Sequence, residues 1–167
     1  MELDGANVLV TGSAKRVGRR TALRLAESGA NIAVHYRTSE EEARETAEEL
    51  RGKGVEATTV QGNLSKIDEV ESLVGKSASD LGGLDALVNN ASIFVSTPVG
   101  ETTREEWDSL IDVNLRGPYF CAQEAVERMD GEGKIVNIAD WAGFRPYTEY
   151  VPYCISKAGV IAMTKGL

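Results

Sequence analysis

Val8-Leu9-Val10-Thr11-Gly12-Ser13-Ala14-Lys15-Arg16-Val17-Gly18 is the stretch on which the fold turns. Three apolar residues suited to a fully buried strand break into a glycine turn, and the run Thr21-Ala22-Leu23-Arg24-Leu25-Ala26 then takes up helical spacing. A helix that begins directly on a tight turn aims the unpaired N–H groups of its first turn, and the positive end of its dipole, at whatever lies above, which favours a phosphate. Gly12 lets backbone come close to a ligand, and Gly18 lets the helix pack close to the strand. A P-loop requires Gly-x-x-x-x-Gly-Lys-Ser/Thr, whereas here five residues separate Gly12 from Gly18 and Arg19 follows, so that reading is rejected. The strict Gly-x-Gly-x-x-Gly fingerprint is absent too.

Around this turn, composition sets the bounds. A chain of 167 residues with 42% hydrophobic content is long enough for one sizeable core and short for two, which predicts a single α/β domain over residues 1–167. Its net charge of −8 argues against nucleic acid or an anionic membrane surface as partner. Runs such as Glu40-Glu41-Glu42 read as solvated helix faces. Two cysteines, Cys121 and Cys154, and one histidine offer no metal-ligand spacing and no disulfide scaffold. Reduced thiols and a cytoplasmic protein are expected. Neither a signal peptide nor a run long enough to span a membrane is found in the sequence.

The pattern continues outward from the turn. Asn31–Tyr36 reads as a second strand, Glu40–Arg51 as an acidic-faced helix with Ala43, Ala47 and Leu50 inward, and Ala57–Gln61 as a third strand. Gly62-Asn63-Leu64-Ser65 closes that strand and caps a helix bearing Ile67, Val70, Leu73 and Val74. Strand four is Asp85–Asn89 and strand five Lys134–Ile138. Between them lie a helix with Trp107, Leu110 and Ile111 and a long one from about Gly117 to Met129. Alternating strands and helices predict a Rossmann-type, doubly wound parallel sheet with helices on both faces. A fold of this kind that prefers NAD carries an acidic residue about twenty positions after the glycine turn. That neighbourhood is Tyr36-Arg37-Thr38-Ser39, and with Lys15 and Arg16 nearby it suits the extra phosphate of NADP. His35 precedes the strand tip with no acid or nucleophile in view and is read as structural.

Further motifs gather at the carboxyl edge of the sheet, where such a fold binds its ligand. Asn89-Asn90-Ala91-Ser92 follows strand four, Asn114 sits in Val113-Asn114-Leu115, Asp140 ends strand five, and Tyr153 and Lys157 share a helix face at a spacing of four. In order and spacing the chain resembles the short-chain dehydrogenase/reductase family. The resemblance implies hydride transfer between a nicotinamide and a carbonyl, alcohol or imine, with NADP(H) held by Gly12, Ser13, Lys15, Arg16, Val17, Gly18, Arg37, Thr38, Ser39, Asn63, Leu64, Asn90, Ala91, Ser92, Tyr153 and Lys157. Arg16 stands where most members have a glycine, and Asp140 where most have the catalytic serine. Both look like the pteridine reductases, as do His35-Tyr36 and the run ending at Phe94. Reductases of 3-oxoacyl carriers are the nearer general relatives and would show serine at 140.

The residues themselves suggest the chemistry. A phenol has a pKa near 10, and one ammonium about 4 Å away at an effective dielectric near 20 supplies about 4 kcal/mol, enough to bring Tyr153 towards working pH. Tyr153 is assigned as proton donor and Lys157 as its tuning charge, which by resemblance also holds the nicotinamide ribose. Asn114 would support a proton relay through water. An ionised Asp140 only accepts hydrogen bonds, which fits a substrate offering N–H groups or a nitrogen to be protonated. It would equally serve as a cap for the segment before Pro146. Phe94 could stack on a flat ring, Ser92 could bond that ring or a cofactor phosphate, and Trp141, Phe144 and Tyr147 are candidate pocket walls. The expected function is an NADPH-dependent reductase of a small-molecule, pterin-like C=N or carbonyl substrate. A 3-oxoacyl or other ketone reductase is the alternative, and a non-catalytic NADP-binding module is the alternative of another class. The sequence ends at Leu167 within the helix of Tyr153 and Lys157, so the further strands implied by the resemblance are expected from a longer chain or a second one. Until then strand five is an apolar edge, open to unwanted pairing. By resemblance, the complete protein would form a homotetramer or homodimer through the segment Phe120–Met129 and the helix beginning near Tyr153.

Overall fold

Five short strands pair in parallel in the computed structural model, which describes residues 2–167. They are β1 (Asn7–Val10), β2 (Asn31–Tyr36), β3 (Ala57–Gln61), β4 (Ala86–Asn89) and β5 (Lys134–Asn137), in the spatial order β3-β2-β1-β4-β5. The chain winds outward from β1 to β3, then crosses back to lay β4 on the other side of β1. That reversal opens a crevice at the carboxyl ends of β1 and β4. Helices α1 (Arg16–Ala26), α2 (Glu40–Arg51), α3 (Ile67–Leu81), α4 (Arg104–Ile111), α5 (Gly117–Val126) and α6 (Val151–Gly166) fill the connections.

Alternation along the strands divides the core into two layers. Val8, Val10, Ile32 and Val34 pack with Ala22, Leu23, Ala43, Ala47 and Leu50 of α1 and α2. Leu9, Ala33, Val60 and Leu87 point the other way, onto Val70, Leu73 and Val74 of α3 and Cys121, Ala122 and Ala125 of α5. Each fully buried Leu, Ile or Val contributes about 1.5–3 kcal/mol, so both faces are strongly specified. A third, smaller cluster of Leu110, Ala142, Tyr153 and Cys154 sits beyond the strand tips and seats α6.

Where helices begin and end, the structure departs from the sequence pattern in instructive ways. α1 starts at Arg16, before Gly18, and α3 starts after Lys66 with no side-chain cap, so Asn63 and Ser65 bond to one another in a turn of their own. α4 opens on a reciprocal cap: Thr103 Oγ1 accepts from Glu106 N–H, and Glu106 Oε2 accepts from Thr103 N–H. It does not stop before α5 but runs into it through a wider π-helical turn, Asp112–Arg116, which carries Asn114. α5 then ends at Val126, three residues short of the expected Met129.

Gly18 is the closest contact between α1 and the sheet. A Cβ there would overlap the Gly12 carbonyl oxygen and the Asn90 side-chain amide. The first of these is backbone and cannot swing aside, so Gly18→Ala is expected to cost about 1–3 kcal/mol. A urea midpoint equal to that of the unmodified protein would contradict this packing.

Candidate active site

The crevice holds a cavity of about 360 Å³ lined by the glycine turn (Gly12, Lys15, Arg16, Val17, Gly18), by His35 and Arg37, by Gly62, Asn63 and Leu64 after β3, and by Asn90, Ala91, Ser92, Ile93 and Val113. The backbone N–H groups of Arg16, Val17 and Gly18 lie in the first turn of α1 and, among the described residues, have no partner outside the helix, which leaves them to an anion. Gly12 takes a positive φ of 64°, and Ala91 lies directly against it. Arg16 is the one non-glycine residue with positive φ among the described residues, at 55°. Together with Lys15 and Arg37 it gives this cavity a basic lining in an acidic chain, with Lys15 also pairing to Glu42 at 3.3 Å.

Five expected members of this set do not line the cavity: Ser13, Thr38, Ser39, Tyr153 and Lys157. Ser13 is fully buried beneath the turn, where its hydroxyl donates to Val10 O at 2.7 Å and accepts from His35 N–H at 3.2 Å. Thr38 and Ser39 lie beyond Arg37 at the start of α2 and do not line the cavity. A residue not assigned to the site from sequence does more: buried Thr11 accepts the N–H groups of Asn90 and Ala91 at 2.9 and 3.0 Å, while Asn90 Nδ2 donates to Thr11 O at 2.8 Å. These bonds lock the tip of β4 to the glycine turn. A threonine at the strand-to-turn junction was its only sequence signal.

A second group adjoins the cavity wall at Ser92 and Ile93. Asn114 is buried, its Oδ1 accepting from Ile93 N–H at 2.8 Å and Ser92 Oγ at 3.2 Å, and its Nδ2 donating to Ile93 O at 2.9 Å and Ser156 Oγ at 3.4 Å. All four bonds open to an amide side chain are thus in use. Its side chain holds the loop after β4 against α6. Phe94 stacks face to face on Tyr150 at 4.3 Å and meets the edge of Tyr153 at 4.7 Å. Trp141 and Phe144 pair with each other on the surface, Tyr147 leans on Tyr150, and none of the three lines the cavity at the glycine turn.

Asp140, Tyr153 and Lys157 do come together. Asp140 Oδ1 accepts from Ala142 N–H at 2.7 Å, capping a short 3-10 turn (Trp141–Gly143), and its Oδ2 accepts from the Tyr153 hydroxyl at 2.8 Å. The carboxyl is held below its ordinary pKa, first by the Ala142 N–H and then, against partial burial, by Tyr153 and Lys157. Lys157 Nζ donates to Ile138 O at 2.9 Å and lies 5.7 Å from the centre of the Tyr153 ring. Burial lowers its pKa, and Asp140 opposes that shift. For Tyr153 the expected downward shift is reversed. Burial first, and then the hydrogen bond and charge of Asp140, push its pKa up rather than down. The lysine is turned to a carbonyl, and the phenol's nearest charged partner is a carboxylate.

A family model described as short chain dehydrogenase matches residues 6–167. The 3-oxoacyl-acyl-carrier-protein reductase FabG of Staphylococcus aureus is 39% identical over 161 residues, covering 95% of this chain and 65% of that protein. The 3beta-hydroxysteroid dehydrogenase 1 of Eggerthella lenta is 37% identical over 169 residues, covering 99% and 65%. This chain therefore spans slightly less than two thirds of the length of these relatives. Among solved structures, a short chain dehydrogenase from Burkholderia cenocepacia in complex with NADP superposes with a TM-score of 0.95 at 32% identity, covering 99% of this chain and 68% of that one. The angucycline C-6 ketoreductase LanV with bound NADP does so at 0.90 and 31%, covering 97% and 65%.

Proposed function

Since the chain belongs to the short chain dehydrogenase family, we propose that it is the dinucleotide-binding and catalytic part of an NADPH-dependent reductase. Residues 1–167 form one domain in this reading. The observation that carries it is the Tyr153 hydroxyl, held protonated 2.8 Å from Asp140, with Lys157 on the same helix and with Phe94, which follows the cavity residues Ser92 and Ile93, against its ring. Free N–H groups at the start of α1, the close backbone of Gly12, and Lys15, Arg16 and Arg37 fit a ligand with several phosphates and a further one on its ribose. Held there, NADPH would supply hydride to the substrate carbon. Tyr153 would supply the proton that the adjoining oxygen or nitrogen must gain, and Lys157 would hold the ribose and place a positive charge nearby. Ser92, Asn114 and Phe94 shape the entry.

The finer reading is a flat, N–H-bearing substrate such as a pterin. Once Tyr153 gives up its proton, a phenolate would face the Asp140 carboxylate, an arrangement that like charges disfavour. A substrate that brings an N–H donor or a protonated nitrogen to Asp140 relieves this; a plain ketone does not. The names of the relatives favour the ketone, so a 3-oxoacyl or polycyclic ketone remains the second reading. Assembly into two or four copies through α5 and α6 belongs to the same proposal, supported by the exposed Tyr119, Val126 and Ile155 on those helices.

The cofactor half has its own test. NADPH is expected to bind more tightly than NADH, and Arg37→Ala to erase about tenfold of that preference, the lower end of a charge-assisted hydrogen bond because Arg37 is exposed. Fluorescence titration of both dinucleotides into both proteins decides it, and equal affinities in the unmodified protein would defeat the assignment.

A further inference from the structure

One buried titratable side chain takes no part in this chemistry, yet two walls of the cavity are bonded to it. Gly12 N–H donates to His35 Nδ1 at 2.9 Å, and His35 Nε2 lies 3.0 Å from Gly62 O. A backbone N–H only donates and a carbonyl only accepts, so a single form of the ring satisfies both: neutral imidazole with its proton on Nε2. Its own backbone is fastened as well, the N–H to Ser13 Oγ at 3.2 Å and the carbonyl to Ser13 N–H at 3.0 Å. Gly12 opens the turn after β1 and Gly62 the turn after β3, strands that are separated in the sheet by β2, which carries His35. The imidazole thus ties together two turns that share no strand ladder.

We infer that His35 is a positioning residue for the dinucleotide: its neutral, Nε2-protonated ring fixes the spacing between the Gly12 and Gly62 walls and sets the shape of the cavity before the ligand arrives. The inference rests on the NADPH reading above. Burial holds the ring's pKa down to about 4, against the bond to Gly62, so the required form persists at neutral pH. A proton on Nδ1 would face the Gly12 N–H and part the turn from β2. The charged side chains on the surrounding elements are engaged elsewhere or line the cavity: Lys15 pairs with Glu42, Glu69 with Lys66 and the Asn63 N–H, and Arg16 and Arg37 are wall residues. None of them is hydrogen-bonded to the ring.

The test compares the protein with His35→Leu, which keeps neither donor nor acceptor, and His35→Gln, which keeps one of each. Hydrogen exchange at the Gly12 amide is read without ligand, and NADPH affinity by fluorescence titration. His35→Leu is expected to speed Gly12 exchange and weaken NADPH by about tenfold each, the worth of an ordinary hydrogen bond. His35→Gln should recover most of both, with the kinetic loss falling on the cofactor KM rather than on kcat. In the unmodified protein, Gly12 protection and NADPH affinity should fall together as the pH drops from neutral towards about 4. If His35→Leu does not fold, His35→Gln and the pH series carry the test, since the glutamine variant should lack that acid fall. Tight NADPH binding indifferent to His35 and to acid would overturn the role alone. A His35-dependent Gly12 amide in a protein with no affinity for NADPH would overturn the cofactor reading, and with it the role given to the ring.

Discussion

Turnover of the Tyr153→Phe variant is expected to fall about 10²- to 10⁴-fold, the usual worth of a positioned general acid. The substitution keeps the ring, which packs with Leu110, Ala142 and Cys154 and meets Phe94 edge-on, and removes only the hydroxyl. Folding and NADPH affinity should therefore change little, so the loss is confined to the chemical step. The pH profile follows from the same geometry. Tyr153 must be protonated to act, and its pKa is raised by burial and by Asp140, so the rate should stay level through neutral pH and decline only in strong alkali. Burial lowers the pKa of Lys157, against the opposing charge of Asp140. Steady-state rates of both proteins across pH provide the measurement. Undiminished turnover in Tyr153→Phe would mean that Lys157 or water delivers the proton, and the assignment would fall.

Asp140→Ser is expected to act in opposite directions on two kinds of substrate. A dihydropterin should lose about 10- to 150-fold in kcat/KM, corresponding to one charge-assisted hydrogen bond of about 1.5–3 kcal/mol. A 3-oxoacyl ester should gain, because serine offers its oxygen a donor where the carboxylate offered none. Fold and cofactor affinity should survive, since serine is as good a helix cap as aspartate and can still receive the Ala142 N–H. Removing the carboxylate also removes one cause of the raised Tyr153 pKa, leaving burial, so the alkaline decline should move to lower pH. If the unmodified enzyme ignores pterins, or both substrates suffer equally in the variant, the ring-substrate reading is lost and the ketone reductase stands.

Most of the fold was legible because it is written in short-range patterns. β2, β3 and α2 fall on the residues that their apolar runs and glycine stops indicate, and β4 and β5 differ by a single residue at one end. α4 was legible as a helix, but its passage through Asp112–Arg116 was not, since nothing local distinguishes a π-helical turn from two helices with a break. Chain order brought Asp140, Tyr153 and Lys157 to one place. It could not say which of them would be partners. Four-residue spacing puts Lys157 on the face of Tyr153, yet where its ammonium ends up depends on the Ile138 carbonyl, which belongs to the end of β5 and arrives through tertiary packing. His35 is legible as a residue of β2, while its two hydrogen bonds join turns 23 and 27 residues away in sequence and leave no mark in any local pattern.

Arg16, with its left-handed backbone, would set robustness against selectivity for the proposed coenzyme. An arginine at a φ of 55° bears a conformational cost of about 1–2 kcal/mol that glycine would not. Anyone seeking a more heat-tolerant catalyst would choose Arg16→Gly early, and a screen scored on melting temperature would reward it. The same exchange removes one of three cations from the cavity wall and, with NADPH as the proposed coenzyme, relaxes discrimination between phosphorylated and plain dinucleotide. Industrial variants selected for durability alone would therefore drift towards the cheaper coenzyme at this position, and those selected for strict NADPH use would keep the strained arginine.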